Sequence, residues 1–300
     1  MLRALLRLSP IDWGVVLYLL PFGVATLVTA RAGLADPLVL TPLLSLGGYL
    51  LLAWYFRTRA SRGRLLETLY HLLVIPALAF TYFRLREIVP MVNGSSADPG
   101  LAALDLWLFG GHASVWLERW ASRGTVEFFA FFYQLYMVLG AGFILGEIFF
   151  DRDRERQARF GLGILLVLGA HVLYLLVPAR GPLVHLLPLF QGPLPGGPLH
   201  RLVVHSQEHG GPLFDAFPSL HTAVTVFLLL HVWRSFPAWR WPLAGTTVCI
   251  LISTVFLRYH YLIDLLAGLL LAAVTFWGGA WLLRAYGRWQ AAAGLHLPPW

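Results

Sequence analysis

Lysine is absent from this 300-residue chain, and all 22 of its basic side chains are arginine. Charge of either sign is scarce: charged residues make up 12% of the chain, against 58% hydrophobic. A water-soluble domain of this length has no means of burying so large an apolar share, which points to a polytopic α-helical membrane protein. Cysteine is limited to Cys249, inside an apolar run, so no disulfide framework exists and the redox compartment stays open. Polar low-complexity linkers and solenoid-period repeats are also missing, which favours one integral membrane domain over two. The net charge of +7 suggests nucleic acid only until the charges are located. Most arginines crowd short loops between apolar segments, so no nucleic-acid partner is expected.

What is present is a series of apolar runs. They predict about eight membrane spans, near 11–30, 38–56, 65–83, 126–150, 161–178, 219–233, 242–257 and 262–282, with the sixth and seventh short. The first run follows Arg3 and Arg7, but it is too long for a signal-peptide core and reads as an uncleaved anchor. Arg57, Arg59, Arg62 and Arg64 crowd one loop, and Arg152, Arg154, Arg156 and Arg159 another. With eight spans threaded, Arg3, Arg7, Arg234, Arg240, Arg284 and Arg288 join them on one side. That side is the cytoplasmic one, and it holds both termini. Two longer segments, 84–125 and 179–217, are then external. The first carries turn signals at Asn93-Gly94-Ser95-Ser96 and Asp98-Pro99-Gly100, then Trp-rich amphipathic pieces. The second is rich in Pro and Gly, carries four histidines, and reads as an ordered loop or lid. A composition rich in Arg, Ala, Leu and Gly fits a bacterial inner membrane.

Two chemistry-bearing motifs fall at the same outer face. Phe217-Pro218-Ser219-Leu220-His221 opens one span, and Arg258-Tyr259-His260-Tyr261-Leu262-Ile263-Asp264 opens the last. A His and an Asp four residues apart share a helix face, so the carboxylate of Asp264 can hold and polarise His260. That is what a nucleophilic or basic imidazole needs. His221, on another helix, can supply the leaving-group proton. Arg180 and Arg258 are candidate anion ligands. Each of these residues has a plainer reading: a helix-anchoring hydrogen bond for His260 and Asp264, an interfacial histidine for His221, headgroup contact for Arg180, and snorkelling for Arg258. Ser219 reads equally as a helix cap or a phosphate contact, and Pro218 as a first-turn residue. Asp215 reads as a helix cap. His200, His205 and His209 invite a zinc reading, but no Cys or definite carboxylate accompanies them, and solvated lid histidines fit better. Glu127, Glu147, His71 and His171, in or near spans, read as interhelical hydrogen-bonding groups rather than a transport path.

The arrangement resembles the type-2 phosphatidic acid phosphatase superfamily, the lipid phosphate phosphatases that share a fold with vanadium haloperoxidases. The resemblance rests on Pro218-Ser219-Leu220-His221, on His260-Tyr261-Leu262-Ile263-Asp264, and on Pro178-Ala179-Arg180-Gly181-Pro182. It is firm over about 161–282 and looser back to about 100. The wording of the motifs is most similar to the inositol phosphorylceramide synthase-like branch. Two positions depart from the family pattern: Leu173 stands where a Lys is expected, and Thr254 where an Arg is expected. The resemblance implies an all-α membrane bundle with a six-helix phosphatase-like core over 65–290 and a two-span extension over 1–64. It implies a lipid phosphate substrate and a phosphohistidine on His260, with Asp264 orienting it and His221 moving protons. Arg180, Arg258 and Ser219 would contact the phosphate, and the scheme calls for no metal or other cofactor. Hydrolysis and transfer to an alcohol acceptor remain open alternatives. A transporter or flippase and a non-catalytic scaffold are the readings from other classes; a transporter would put its polar cluster at mid-bilayer depth, whereas this one lies at an edge.

Overall fold

The computed structural model describes residues 7–29, 37–57, 63–151, 153–210 and 213–295. These residues are helical nearly throughout, and no strand occurs among them. In chain order the helices are α1 (Pro10–Thr29), α2 (Pro37–Arg57), α3 (Arg64–Leu72), α4 (Val74–Val92), α5 (Asp98–Phe109), α6 (Ala113–Leu117) and α7 (Arg123–Phe149). They continue with α8 (Arg154–Leu176), α9 (Pro182–His185), α10 (Pro198–Gly210), α11 (Leu220–Ser235), α12 (Arg240–Phe256), α13 (Leu262–Ala273) and α14 (Gly279–Ala292). A π-turn over Val274–Gly278 carries α13 into α14. The protein is an all-α integral membrane bundle.

Among the described residues, four helices are long and apolar enough to cross a membrane: Pro10–Val28, Arg123–Phe149, Arg154–Leu176 and the continuous Leu262–Ala292. The other expected spans are helical but differ in extent. The run near 65–83 is split at Leu73 into α3 and α4, and α4 continues to Val92 through Arg84, Arg86 and Glu87. With 16 and 17 residues, α11 and α12 fall short of the roughly 20 that a bilayer core requires. Hydropathy registers an apolar run but not the point at which its backbone turns. For the same reason the segment read as external from residue 84 is still helix to Val92, and the expected loop at 179–217 contains the 13-residue α10.

The chain divides into two compact units. One comprises 1–84, 143–169 and 273–300. A well-satisfied polar group in it is Asp12, fully buried in the first turn of α1. Ser9 and Asp12 form a reciprocal capping box: the Ser9 hydroxyl accepts from the Asp12 N–H at 3.0 Å, and the Asp12 carboxylate accepts from the Ser9 N–H at 2.6 Å. Tyr49 and Tyr70 donate to the same carboxylate at 2.9 and 2.8 Å, tying α2 and α3 to the start of α1. Trp13 donates to the Tyr286 hydroxyl, which donates in turn to the Leu8 carbonyl.

The other unit comprises 85–142 and 170–272 and holds every candidate site residue. Two apolar clusters organise it. Leu101 and Ala102 of α5 pack with Ala179, Leu186, Ala216 and Tyr261. Val126, Ala130 and Tyr133 of α7 pack with Val203 of α10 and with Phe256 and Leu257 at the end of α12. Helix α5 has an inverted character: it buries Asp98 and Asp105 along with Leu101 and Ala102 and exposes Leu106, Trp107 and Phe109. Burying acids while exposing aromatic and aliphatic side chains suits an element whose outer solvent is lipid rather than water.

Candidate active site

The site is built around the turn between α12 and α13. Helix α12 ends at Phe256, and the Thr254 carbonyl accepts from the N–H groups of both Tyr259 and His260, at 2.9 and 3.2 Å. Arg258 makes the reversal with φ of 70°, a left-handed conformation that costs a non-glycine residue about 1–2 kcal/mol. Its own carbonyl accepts from the Leu183 N–H at 2.7 Å. Gly181 lies against this turn with φ of 85°, and a Cβ there would collide with the Tyr259 carbonyl oxygen. Only glycine meets both conditions.

His260 is buried and its Nδ1 lies 2.8 Å from the Ala216 carbonyl oxygen. A carbonyl only accepts, so Nδ1 carries a proton, and in the neutral ring Nε2 then keeps a free lone pair. The Asp264 carboxylate stands behind the same nitrogen at 3.4 Å, and its Oδ2 accepts from the Tyr261 N–H at 2.8 Å. Asp264 is fully buried and its Oδ1 has no hydrogen-bond partner among the described residues. The expected pair is therefore adjacent, but the shortest contact to His260 comes from a backbone carbonyl that residue identities do not reveal. Ala216 is held in turn by its N–H donating to the Ala179 carbonyl, beside the isolated parallel bridge of Ala179 and Asp215.

His221 opens α11 and its ring centroid lies 5.6 Å from that of His260, at an edge-on 65°. The two histidines thus converge on one site. Ser219 is the N-cap of α11: it is fully buried, and its hydroxyl accepts from the Thr222 N–H. Pro218 falls before this cap rather than within the first turn. The Ser219 N–H reaches the Asp264 carbonyl at 3.1 Å, which docks the start of α11 onto the first turn of α13. That approach needs Gly268, where a Cβ would lie 2.7 Å from the Ser219 carbonyl oxygen.

Two acids of α5, seven residues apart on its buried face, organise the rest. Asp98 accepts from the Arg180 and Gly181 N–H groups, each at 2.8 Å, and from the Tyr261 hydroxyl at 3.1 Å. Asp105 accepts from the Ile263 N–H at 2.9 Å. Burial pushes the Asp105 carboxyl up, opposed by the Ile263 and Leu262 N–H groups. Asp98, read from sequence as a turn signal, thus fixes the backbone that carries Arg180. The Arg180 side chain is exposed and forms no ion pair or hydrogen bond among the described residues.

Arg258 is committed elsewhere. Its guanidinium is 2.8 Å from the Glu118 carboxylate and 2.8 Å from the Gly192 carbonyl, and it lies 3.9 Å over the Phe190 ring. Burial pushes its pKa down, with Glu118 opposing. Glu118 also accepts from the Gln191 N–H at 3.0 Å. Thr254, the position where the family pattern has arginine, is fully buried and donates its hydroxyl to the Leu251 carbonyl. Asp215 is not the cap of α11; burial raises its carboxyl to about 6, with His260 opposing. Of the lid histidines, His205 and His209 stack at 4.4 Å one turn apart on α10. Burial lowers the His200 pKa, which Glu127 opposes. Glu127, expected as an interhelical hydrogen-bonding group, caps α10 by accepting from the Gly197, Leu199 and His200 N–H groups.

The comparisons with known proteins agree with this motif set. The PAP2 superfamily pattern matches residues 99–278. Over 64 residues the chain is 34% identical to the inositol phosphorylceramide synthase catalytic subunit of Schizosaccharomyces pombe. That stretch is 21% of this chain and 15% of the relative, so the chain is similar to a small part of that protein. No solved structure matches. With a family match over more than half its length, which takes in both histidine motifs, the chain belongs to the PAP2 superfamily.

Proposed function

We propose that this enzyme takes a phosphoryl group or phospho-headgroup from a lipid-linked phosphate, through a phosphohistidine on His260, at the outer membrane face. The observation that carries the reading is the tautomer of His260, fixed by the Ala216 carbonyl at 2.8 Å with the Nε2 lone pair left free, and with the His221 ring 5.6 Å away. A histidine held in this way is prepared to attack rather than merely to cap a helix.

In the proposed first step the Nε2–P bond forms as the P–O ester bond breaks. The departing alkoxide takes a proton from His221. The buried Asp264 carboxylate compensates the positive charge that grows on the His260 ring. In the second step a hydroxyl oxygen bonds to phosphorus, the N–P bond breaks, and the hydroxyl proton passes to His221. Arg180 is the proposed cation for the equatorial oxygens. The Leu220 and His221 N–H groups, without partners among the described residues, add the donors of a helix N-terminus. Ser219 serves this anion site by capping α11. Arg258 serves it by bracing the 183–192 segment at both ends, through its carbonyl to Leu183 and its guanidinium to Gly192.

The similarity to an inositol phosphorylceramide synthase favours a lipid phosphotransferase, in which an alcohol rather than water reaches the phosphohistidine. The test is a product assay on purified protein in detergent. It uses phosphatidic acid, a sphingoid phosphate, a polyprenyl phosphate and phosphatidylinositol, with and without ceramide or inositol. Release of inorganic phosphate supports hydrolysis, and a new phosphoester supports transfer. Neither product from any donor overturns the reading.

A further inference from the structure

The His221 ring is enclosed by two tyrosines of α7. Tyr133 lies 4.3 Å from it at 36°, and Tyr136 lies 4.3 Å from it at 39°. The spacing of three residues along α7 puts both rings on one helix face, each in contact with the imidazole. Tyr133 also meets the Tyr259 ring, 5.0 Å away at 40°. Tyr259 is covalently joined to His260. A series of ring contacts, Tyr136 to His221, His221 to Tyr133 and Tyr133 to Tyr259, therefore joins α7 and the proposed acid to the backbone of the proposed nucleophile. Nothing in the motifs themselves assigns a role to α7.

Resting on the phosphohistidine reading, we propose that Tyr133 and Tyr136 are positioning residues. Their tilted rings brace the His221 ring, so that its edge meets the leaving-group oxygen of the ester whose phosphorus His260 attacks. Ring contacts of this kind are favourable beyond the area they bury, so rotating the imidazole about its Cβ–Cγ bond means giving up two of them. They involve no hydrogen bond to either ring nitrogen, so both stay available for proton transfer. The clamp also explains how a half-buried histidine on α11 keeps its edge-on angle of 65° to His260 with no direct bond between them. Tyr133 is deep in the packed cluster with Val126, Ala130, Val203, Phe256 and Leu257, which makes it the fixed jaw. Tyr136 is only partly buried and is the jaw open to substitution.

The clamp acts on proton delivery alone, so its loss should depend on the leaving group. Full-length wild type, Tyr136→Leu, Tyr133→Leu and the two Phe variants are compared in detergent on two esters. Dioctanoyl phosphatidic acid expels an alkoxide that needs a proton, whereas p-nitrophenyl phosphate expels a stable phenolate that does not. Loss of a general acid commonly costs about 10²–10⁴-fold, so in kcat/KM, which the later proton transfer to His221 does not enter, Tyr136→Leu should lose on the order of tenfold or more on the alkyl ester and little on the aryl ester. Tyr136→Phe, which restores a ring, should return the alkyl-to-aryl ratio toward wild type. Equal losses on both esters, or an unchanged ratio in both Leu variants, overturn the clamp. A second readout needs no turnover: carbethoxylation of His221 by diethyl pyrocarbonate, quantified on the peptide by mass spectrometry. It should rise several-fold in the Leu variants and stay near wild type in the Phe variants, and an unchanged rate in both Leu variants overturns the clamp. If wild type cleaves neither ester, the phosphohistidine reading is decided by the product assay with its other donors and acceptors, and the carbethoxylation rates decide the clamp on their own.

Discussion

A methyl group on Gly268 would lie 2.7 Å from the Ser219 carbonyl oxygen and 2.9 Å from Thr222 Cβ. Neither the N-cap backbone nor a β-branched side chain can yield, so alanine there must push the start of α11 away from α13. That displacement opens the 5.6 Å approach of His221 to His260. Gly268→Ala should therefore cost about 1–3 kcal/mol by overpacking and lower turnover more than tenfold by misalignment. Thermal unfolding and steady-state rates in detergent check both parts. The same residue marks the edge of what the sequence discloses. His260 and Asp264 are legible because a four-residue spacing on a helix has one geometric meaning. His221 is legible through its motif. The Ala216 carbonyl, the Asp98 carboxylate and the Tyr133 and Tyr136 rings are not, because each reaches the site from an element distant in the chain, and only tertiary packing brings it there.

Among the elements, the buried ion pair of Glu118 and Arg258 links the short turn after α6 to the reversal before α13. Both side chains are shielded, Glu118 at 12% and Arg258 at 3% exposure. Removing one partner strands the other without compensation, so Arg258→Ala should cost about 3–5 kcal/mol. Pairing it with Glu118→Gln should recover part of that loss in a double-mutant cycle. An arginine that only met phosphate would leave unfolding unchanged. Asp215 gives a pH signature at the same scale. Its carboxyl is raised to about 6, so the folded state binds more protons than the unfolded state between roughly pH 4 and 6. Stability then falls as pH rises through that window. Asp215→Asn should match wild type near pH 4 and be the more stable protein near pH 7, which a pair of thermal melts resolves. Neither signature is written in residue order: Arg258 reads from sequence as an anion ligand, and its partner lies 140 positions away.

For the whole molecule, the class was legible from composition alone, because a 58% hydrophobic chain has no soluble solution at this length. The extent of each span was less so, since α3 and α4 divide one apolar run and α11 and α12 are shorter than a bilayer core. The proposed orientation rests on arginine asymmetry. In a Cys249→Ser background, an impermeant thiol reagent on intact cells should label a cysteine at Gly196 but not one at Arg156; the reverse pattern inverts the topology. Orientation, clamp and anion site all serve one claim, that His260 is the nucleophile. The most direct test is to quench the enzyme in alkali during turnover of a ³²P-labelled lipid phosphate and map the label by peptide mass spectrometry. The account predicts an alkali-stable, acid-labile phosphate on His260, absent from His260→Ala. Accumulation of label on any other residue, or turnover by His260→Ala at the wild-type rate, would contradict it.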